Sequence, residues 1–180
     1  GKTHLMFTME VTKPTAGYEF PYSHSQVGHI FSVPLVASEY NESLSFYKNE
    51  IGMIPVLTDQ LNEGLWHKTW KIPNGSPVDI SILKGDASGF GLGGIELQGY
   101  DNSFVDPIKP KNNLFDGGVC LTTYTSKKIE LLYEIIKNSS FANIISDLAA
   151  FDEPPYGTNK AFCFHGPSGE KVEVIEKNWN

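Results

Sequence analysis

The chain has 180 residues and a formal net charge of −7, which allows one domain with a substantial core or two small modules. An acidic chain does not fit a nucleic-acid partner, because neutralising phosphates requires a basic face. No apolar run approaches the roughly 20 residues of a membrane span and no charged-then-apolar leader opens the chain, so we expect a cytoplasmic protein with no membrane partner.

Residues 1–28 form an extension ahead of the first predicted module. Apolar and polar residues alternate from Leu5 to Val11, which predicts a strand with one wet face. An aromatic loop follows it. Three roles stay open for the extension: it adds to a sheet edge, covers a cavity, or exchanges with a second copy of the chain.

Residues 29–98 are predicted to form the first module. The segment "IFSVPLVAS" is typical of a buried strand, and Leu44, Tyr47 and Ile51 have the spacing of a helix that ends at Gly52. A turn is expected at Pro73-Asn74-Gly75. Further strands are predicted at "MIPVL", "LWHKTWKI", "VDISIL" and "GIELQ".

The same order returns after a polar connector at residues 99–116. Within residues 117–180, "GVCLTTY" predicts a strand, and Ile129, Leu132 and Ile136 mark a helix. "NIISDL", "KAFCFH" and "KVEVIE" predict three more strands. Only two helices accompany eight or more strands, so the repeat predicts an α+β fold with a curved, mostly antiparallel sheet.

Gly89, Gly91 and Gly94 spell the G-x-G-x-x-G pattern of dinucleotide sites. Such a site requires a helix directly after the glycines, whose N-terminal amides bind the pyrophosphate. Here the next residues are "IELQGYD", which alternate like a strand. The glycines therefore predict a turn between two antiparallel strands and no dinucleotide site.

Each half ends on a glutamate between two apolar residues, Glu96 in the first half and Glu173 in the second. Side chains alternate faces along a strand, so each glutamate points away from the layer of its apolar neighbours. A pseudo-two-fold relation between the halves would bring both carboxylates into one cavity. The alternative is that both are ordinary polar residues facing water.

The sequence resembles the vicinal oxygen chelate superfamily, which includes glyoxalases, bleomycin resistance proteins and extradiol dioxygenases. "VPLVASEYNESLSFYKNEIGM" is similar to its first strand and helix, "ISILKGD" with "GGIELQGYD" to the end of its first module, and "AFCFHGPSGEKVEVIE" to its closing motif. The resemblance covers roughly residues 30–177. It implies two βαβββ modules whose sheets pair into a cup, and often a homodimer.

In that family the cup usually holds a divalent metal, with ligands from the first and last strands of each module. The resemblance places the ligand positions on Glu96, Glu173, Ser32 and Gly118. Serine is a poor ligand and glycine has no side chain, so a site without imidazoles would be weak and oxygen-rich. We therefore expect no metal, with Mg²⁺, Mn²⁺, Zn²⁺ or Ni²⁺ as the alternative. His29, His67 and His165 are the histidines that could compensate.

The resemblance implies a small-molecule substrate or ligand and leaves three functions open. A glyoxalase-like lyase or isomerase would use Glu96 or Glu173 as the catalytic base, and two facing acids could also share this work without a metal. A bleomycin-resistance-like protein would only bind its ligand, using aromatic walls. A ring-cleaving dioxygenase requires two histidines and a carboxylate around iron, which fits least well.

The predicted ligand-binding residues are Ser32, Trp66, His67, Trp70 and Cys120. Trp66 and Trp70 are predicted to lie on one face of a strand, where aromatic rings can stack on a planar ligand or fill the core. Cys120 and Cys163 have no C-x-x-C partner, so they are predicted to be free thiols.

Overall fold

The computed structural model describes residues 32–85, 94–101, 121–153, 157 and 159–176. The chain divides into two compact units. Each unit contains one open four-stranded sheet. None of the helices in these described ranges is long and apolar enough to cross a membrane.

The first unit is a mixed sheet with one parallel strand pair. Its strands are β1 (Ser32–Ala37), β2 (Ile54–Leu61), β3 (Val78–Lys84) and β4 (Gly94–Tyr100), and its helices are α1 (Tyr40–Ser45), continued by a π-helical segment (Phe46–Glu50), and α2 (Leu65–Trp70). The strand order is β1-β4-β3-β2. Strands β1 and β4 are parallel, whereas the β4–β3 and β3–β2 pairs are antiparallel.

The second unit repeats this topology. It contains β5 (Thr122–Ser126), α3 (Ile129–Lys137), β6 (Asn143–Phe151), β7 (Asn159–His165) and β8 (Lys171–Glu176). The strand order is β5-β8-β7-β6, with β5 and β8 parallel. The internal repeat and the α+β class predicted from the sequence are therefore confirmed.

Each sheet buries one face against its helix. In the first unit the rings of Phe46 and Tyr47 are fully buried, and the helical segment ends at Gly52, where φ is 82°. In the second unit Tyr133 of α3 meets Phe162 of β7 edge to face, with ring centroids 5.3 Å apart. The helical periodicity in the sequence identified these buried faces correctly.

The predicted strand at "LWHKTWKI" is wrong, because this segment forms helix α2. Trp66 and Trp70 are four residues apart, a spacing that fits both a strand of period 2 and one helical face. The boundaries decide between them: Gly64 has a φ of 108° and Lys71 is left-handed with a φ of 57°. The amide of Ile72 then bonds to the carbonyl of His67 at 2.9 Å, which closes the helix.

Of the two turns expected from the sequence, the one at Pro73-Asn74-Gly75 is fully described and the one at the glycine motif is described only at Gly94. Ser76 N donates to the Pro73 carbonyl at 3.1 Å, which confirms the turn there, although it joins a helix to a strand. Strand β4 begins at Gly94 and pairs antiparallel with β3, as predicted. The other glycines of the motif, the 1–28 extension, His29, Gly118, Cys120 and most of the connector lie outside the described residues.

Candidate functional site

Strand β4 has one face toward α1 and one face away from it. Gly99 lies directly under Tyr40 of α1, since a Cβ atom added to Gly99 would be 2.8 Å from the Tyr40 Cβ. Because side chains alternate along a strand, Ile95 and Leu97 share this helix-facing side. Glu96, Gln98 and Tyr100 lie on the opposite face, and we call these three residues the β4 polar row.

The β4 polar row is a continuous hydrogen-bonded chain. Tyr100 donates its hydroxyl to Gln98 Oε1 at 2.8 Å, and Gln98 Nε2 donates to Glu96 Oε1 at 2.7 Å. Ser32 of β1 donates to the other carboxylate oxygen, Oε2, at 3.2 Å. Glu96 is only 6% exposed and Gln98 5%. The carboxylate is therefore buried and receives a donor on each oxygen.

Tyr100 at the end of the row is a stable hydroxyl donor. Burial raises the pKa of its phenol, and the nearby Glu96 carboxylate raises it further. The neighbouring indole of Trp66 opposes this rise in pKa, and the Trp66 Nε1 makes no hydrogen bond to the described residues. Tyr100 therefore stays protonated at neutral pH and can donate to Gln98.

The second unit presents Glu173 in the equivalent place on β8. Val172 and Val174 pair with Phe164 and Phe162 on the helix-facing side of the sheet, so Glu173 points to the other face. Glu173 is 7% exposed, and Thr123 of β5 donates its hydroxyl to Oε2 at 2.8 Å. Both units thus bury a glutamate beside a hydroxyl group from the parallel neighbouring strand.

Cys163 lies directly opposite Glu173 on β7. It is a free thiol. Burial raises the pKa of this thiol, and the Glu173 carboxylate adds to the rise. The thiol therefore stays protonated at neutral pH, which makes it a poor nucleophile.

Three of the polar contacts involve residues that the sequence analysis did not select. Gln98 and Tyr100 share a face with Glu96 through the two-residue period of β4, and that period could have identified them. Thr123 was missed because the family alignment placed the first-strand position on Gly118, whereas β5 pairs Thr123 with Glu173. Register between parallel strands is set by packing, and the sequence does not show it directly.

The other predicted site residues lie on α2. The rings of Trp66 and Trp70 are half-buried neighbours with centroids 6.3 Å apart. His67 is 1% exposed, and its Nε2–H donates to the carbonyl of Ser76 at 2.8 Å. Because that contact ties α2 to the turn before β3, we assign His67 a structural role. Trp66 is the neighbour of Tyr100 in the β4 polar row.

The donor groups on these faces do not fit a transition-metal ion. Within the described residues, no three histidine, cysteine, aspartate or glutamate side chains lie close enough together to hold one. The Glu96 carboxylate is accompanied by the Ser32 hydroxyl, and the Glu173 carboxylate by the Thr123 hydroxyl and the protonated Cys163 thiol; these are weak ligands compared with imidazole or thiolate. His165 ends β7, and burial followed by the Lys171 charge lowers the pKa of its ring.

Comparisons with known proteins show the fold. No protein-family model and no curated protein sequence matches the chain. Among solved structures, it is similar to a glyoxalase family protein from Bacillus cereus, with a TM-score of 0.69 at 13% identity over 87% of this chain and 98% of that one.

Two further structures have the same architecture. A glyoxalase/bleomycin resistance protein/dioxygenase superfamily member from Sphaerobacter thermophilus has a TM-score of 0.54 at 18% identity, over 85% of this chain and 100% of that one. An antibiotic binding protein from a Streptomyces species has a TM-score of 0.52 at 9% identity, over 86% of this chain and 100% of that one. The chain therefore has the fold of the glyoxalase/bleomycin resistance protein/dioxygenase superfamily, as its motifs predicted.

Proposed function

We propose that the chain is a glyoxalase-like isomerase or lyase. It binds a small molecule at the sheet faces that carry Glu96 and Glu173, and it transfers a proton between two carbon atoms of that molecule. One carboxylate removes a proton from a carbon that carries a hydroxyl group and lies next to a carbonyl group, and the electron pair moves through the new C=C bond onto the carbonyl oxygen. The hydroxyl proton then passes to that oxygen while the carbon-bound proton returns to the former carbonyl carbon, so that the carbonyl and hydroxyl groups change places. The proposal includes a shared cavity that contains both glutamates. It also includes a homodimer.

The observation that supports this proposal is the burial of an equivalent glutamate in both units. Burying an ionised carboxylate costs several kcal/mol unless hydrogen bonds replace its water. Each glutamate receives such a bond from a hydroxyl group on the parallel strand, Ser32 or Thr123. An apolar residue at either position would avoid this cost, so the fold alone gives no reason for a carboxylate there.

The proposed chemistry uses the carboxyl groups themselves. A positioned carboxylate contributes about 10²- to 10⁴-fold to a proton-transfer step as a general base. The proposed step is assigned to the carboxyl groups alone, without a metal ion. The buried position keeps bulk water from competing for the proton.

Exchange of carbon-bound hydrogen with solvent tests the proposal without a known substrate. The chain is incubated in D₂O with hydroxyacetone, or with the hemithioacetal of methylglyoxal and mercaptoethanol, and loss of the α-proton signal is followed by NMR. We expect the wild-type chain to accelerate exchange with at least one probe. Glu96→Gln or Glu173→Gln should lower that rate about 100-fold or more.

Matched variants separate this effect from a general loss of charge. Asp79→Asn and Glu176→Gln remove a carboxylate from β3 and β8, on the helix-facing sides of the same sheets. Neither should change the exchange rate. Exchange at the wild-type rate in both Glu96→Gln and Glu173→Gln would contradict the proposal.

Ligand binding without catalysis is the second candidate, favoured by the Trp66–Trp70 pair beside Tyr100. Half-buried aromatic rings provide a stacking surface for a planar ligand. Titration with bleomycin, followed by tryptophan fluorescence, tests this candidate. Saturable quenching that disappears in Trp66→Leu, together with no exchange activity, would favour binding over catalysis.

A further inference from the structure

The hydrogen bonds of the β4 polar row all run in one direction. A carboxylate can only accept, so the amide nitrogen of Gln98 must face Glu96, which leaves the amide oxygen for Tyr100. Donors aligned in this way polarise one another, so each bond strengthens the next.

Two hydrogen bonds, one to each oxygen, fix the orientation of the Glu96 carboxylate. Gln98 bonds to one oxygen from the same strand, while Ser32 bonds to the other from β1. Rotation of the carboxylate would break both bonds inside a buried environment, where an unpaired polar group costs about 1–3 kcal/mol. The orientation of Glu96 is therefore set before any ligand binds.

The second unit shows that the fold does not require this amide. Glu96 and Glu173 occupy equivalent positions, and two residues further along β8 the equivalent of Gln98 is Ile175. The same strand, in the same topology, therefore forms with an apolar residue at this position. The sheet topology alone therefore does not account for an amide at Gln98.

We propose that Gln98 is a positioning residue, held by Tyr100, that fixes Glu96 in the orientation needed for proton transfer. This inference rests on the proposed function, in which Glu96 is the group that accepts the proton. Pre-set geometry matters because a misplacement of about 1 Å can reduce a rate about 10²-fold. Gln98 acts on the reaction through Glu96 and Tyr100 acts through Gln98.

Two measurements test the inference. The first is the side-chain amide spectrum of Gln98 in the ¹⁵N-labelled chain, assigned by its loss in Gln98→Ile. Its protons should exchange with solvent more slowly than those of Gln60, whose amide bonds to Asp79 at an exposed site. Tyr100→Phe should shift the Gln98 signals. Tyr40→Phe is the matched control, since it removes a hydrogen bond to Ser81 on the opposite face.

The second measurement is the solvent-exchange rate of the probes named above. Gln98→Ile should lower the maximal rate about 10- to 100-fold and leave the half-saturating probe concentration unchanged. Tyr100→Phe should lower it less, and Tyr40→Phe should have no effect. The inference would be overturned if Gln98→Ile exchanged the probes at the wild-type rate. It would also be overturned if the Gln98 amide signals did not shift in Tyr100→Phe.

If the proposed function is wrong, the result is different. The wild-type chain would then catalyse no exchange, whether or not the hydrogen bonds of the β4 polar row are present. In that case the amide spectrum decides the inference alone: slowly exchanging Gln98 protons that respond to Tyr100→Phe support a fixed Glu96, and rapidly exchanging protons overturn it.

Discussion

Thr123 and Glu173 lie side by side on parallel strands, with the threonine hydroxyl 2.8 Å from the carboxylate. In the other unit Ser32 makes the corresponding contact with Glu96 at 3.2 Å. The serine lies two residues before the register partner of its glutamate, whereas the threonine lies at that partner position. Both halves therefore provide a hydroxyl donor to a buried carboxylate, but the hydroxyl group comes from a different position on the parallel strand in each half.

Replacing Thr123 with valine should destabilise the chain. The change keeps the shape of the side chain but removes a hydrogen-bond donor from Glu173, a residue that is 7% exposed. We expect a loss of about 1–3 kcal/mol in the free energy of unfolding, measured from urea denaturation. Thr125→Val, two residues along the same face of β5, is the control and should change little. Equal effects of the two variants would show that the hydroxyl does not stabilise Glu173.

Gly99→Ala should also destabilise the chain, through crowding. The added methyl group would lie 2.8 Å from the Cβ and Cγ atoms of Tyr40, so helix α1 would have to move away from the sheet. Such overpacking costs about 1–3 kcal/mol. In a Tyr40→Gly background the cost of Gly99→Ala should fall, because both clashing atoms, the Cβ and the Cγ of Tyr40, are gone. A double-mutant cycle measures this difference, and additive effects would contradict the crowding explanation.

The features predicted correctly are those set by local periodicity. The helix at Ile129–Lys137 follows from apolar residues at helical spacing, and β4 and β8 follow from strict alternation around Glu96 and Glu173. The closing motif identified the fold because its turn has specific backbone requirements, seen in Gly169 with a φ of 77°.

The features that were missed depend on contacts between distant segments. Helix α2 is bounded by the unusual backbone angles of Gly64 and Lys71, and a lysine gives no sequence signal for a left-handed conformation. Thr123 joins Glu173 through a strand register that is fixed by packing of the whole sheet. Local pattern thus predicts which face a residue lies on, but not which neighbour it meets.

Tyr124→Phe should leave stability unchanged or raise it. The Tyr124 hydroxyl is buried and has no hydrogen-bond partner among the described residues. Burial raises the pKa of this phenol, and the charge of Glu170 raises it further. Removing an unpaired buried hydroxyl removes its desolvation cost, so we expect a gain of about 0–2 kcal/mol in thermal or urea unfolding. Tyr40→Phe, which loses a bond to Ser81, should be destabilising by comparison.

The reactivity of Cys163 should depend on Glu173 and on pH. Because burial and the Glu173 charge raise the thiol pKa, little thiolate is present at pH 8, and alkylation should become fast only above the ordinary pKa of cysteine. Iodoacetamide labelling in a Cys120→Ser background, followed by mass spectrometry across pH 7–10, measures this profile.

Glu173→Gln removes the negative charge beside Cys163 and should move the alkylation profile toward lower pH, so that labelling at pH 8 becomes faster. The shift should be partial, because burial is the larger cause of the raised pKa and remains in the variant. Glu176→Gln removes a carboxylate from the other face of β8 and should leave the profile unchanged. If both variants label at the wild-type rate, the Glu173 carboxylate does not act on the thiol, and the pairing of these two side chains across β7 and β8 would have no electrostatic consequence.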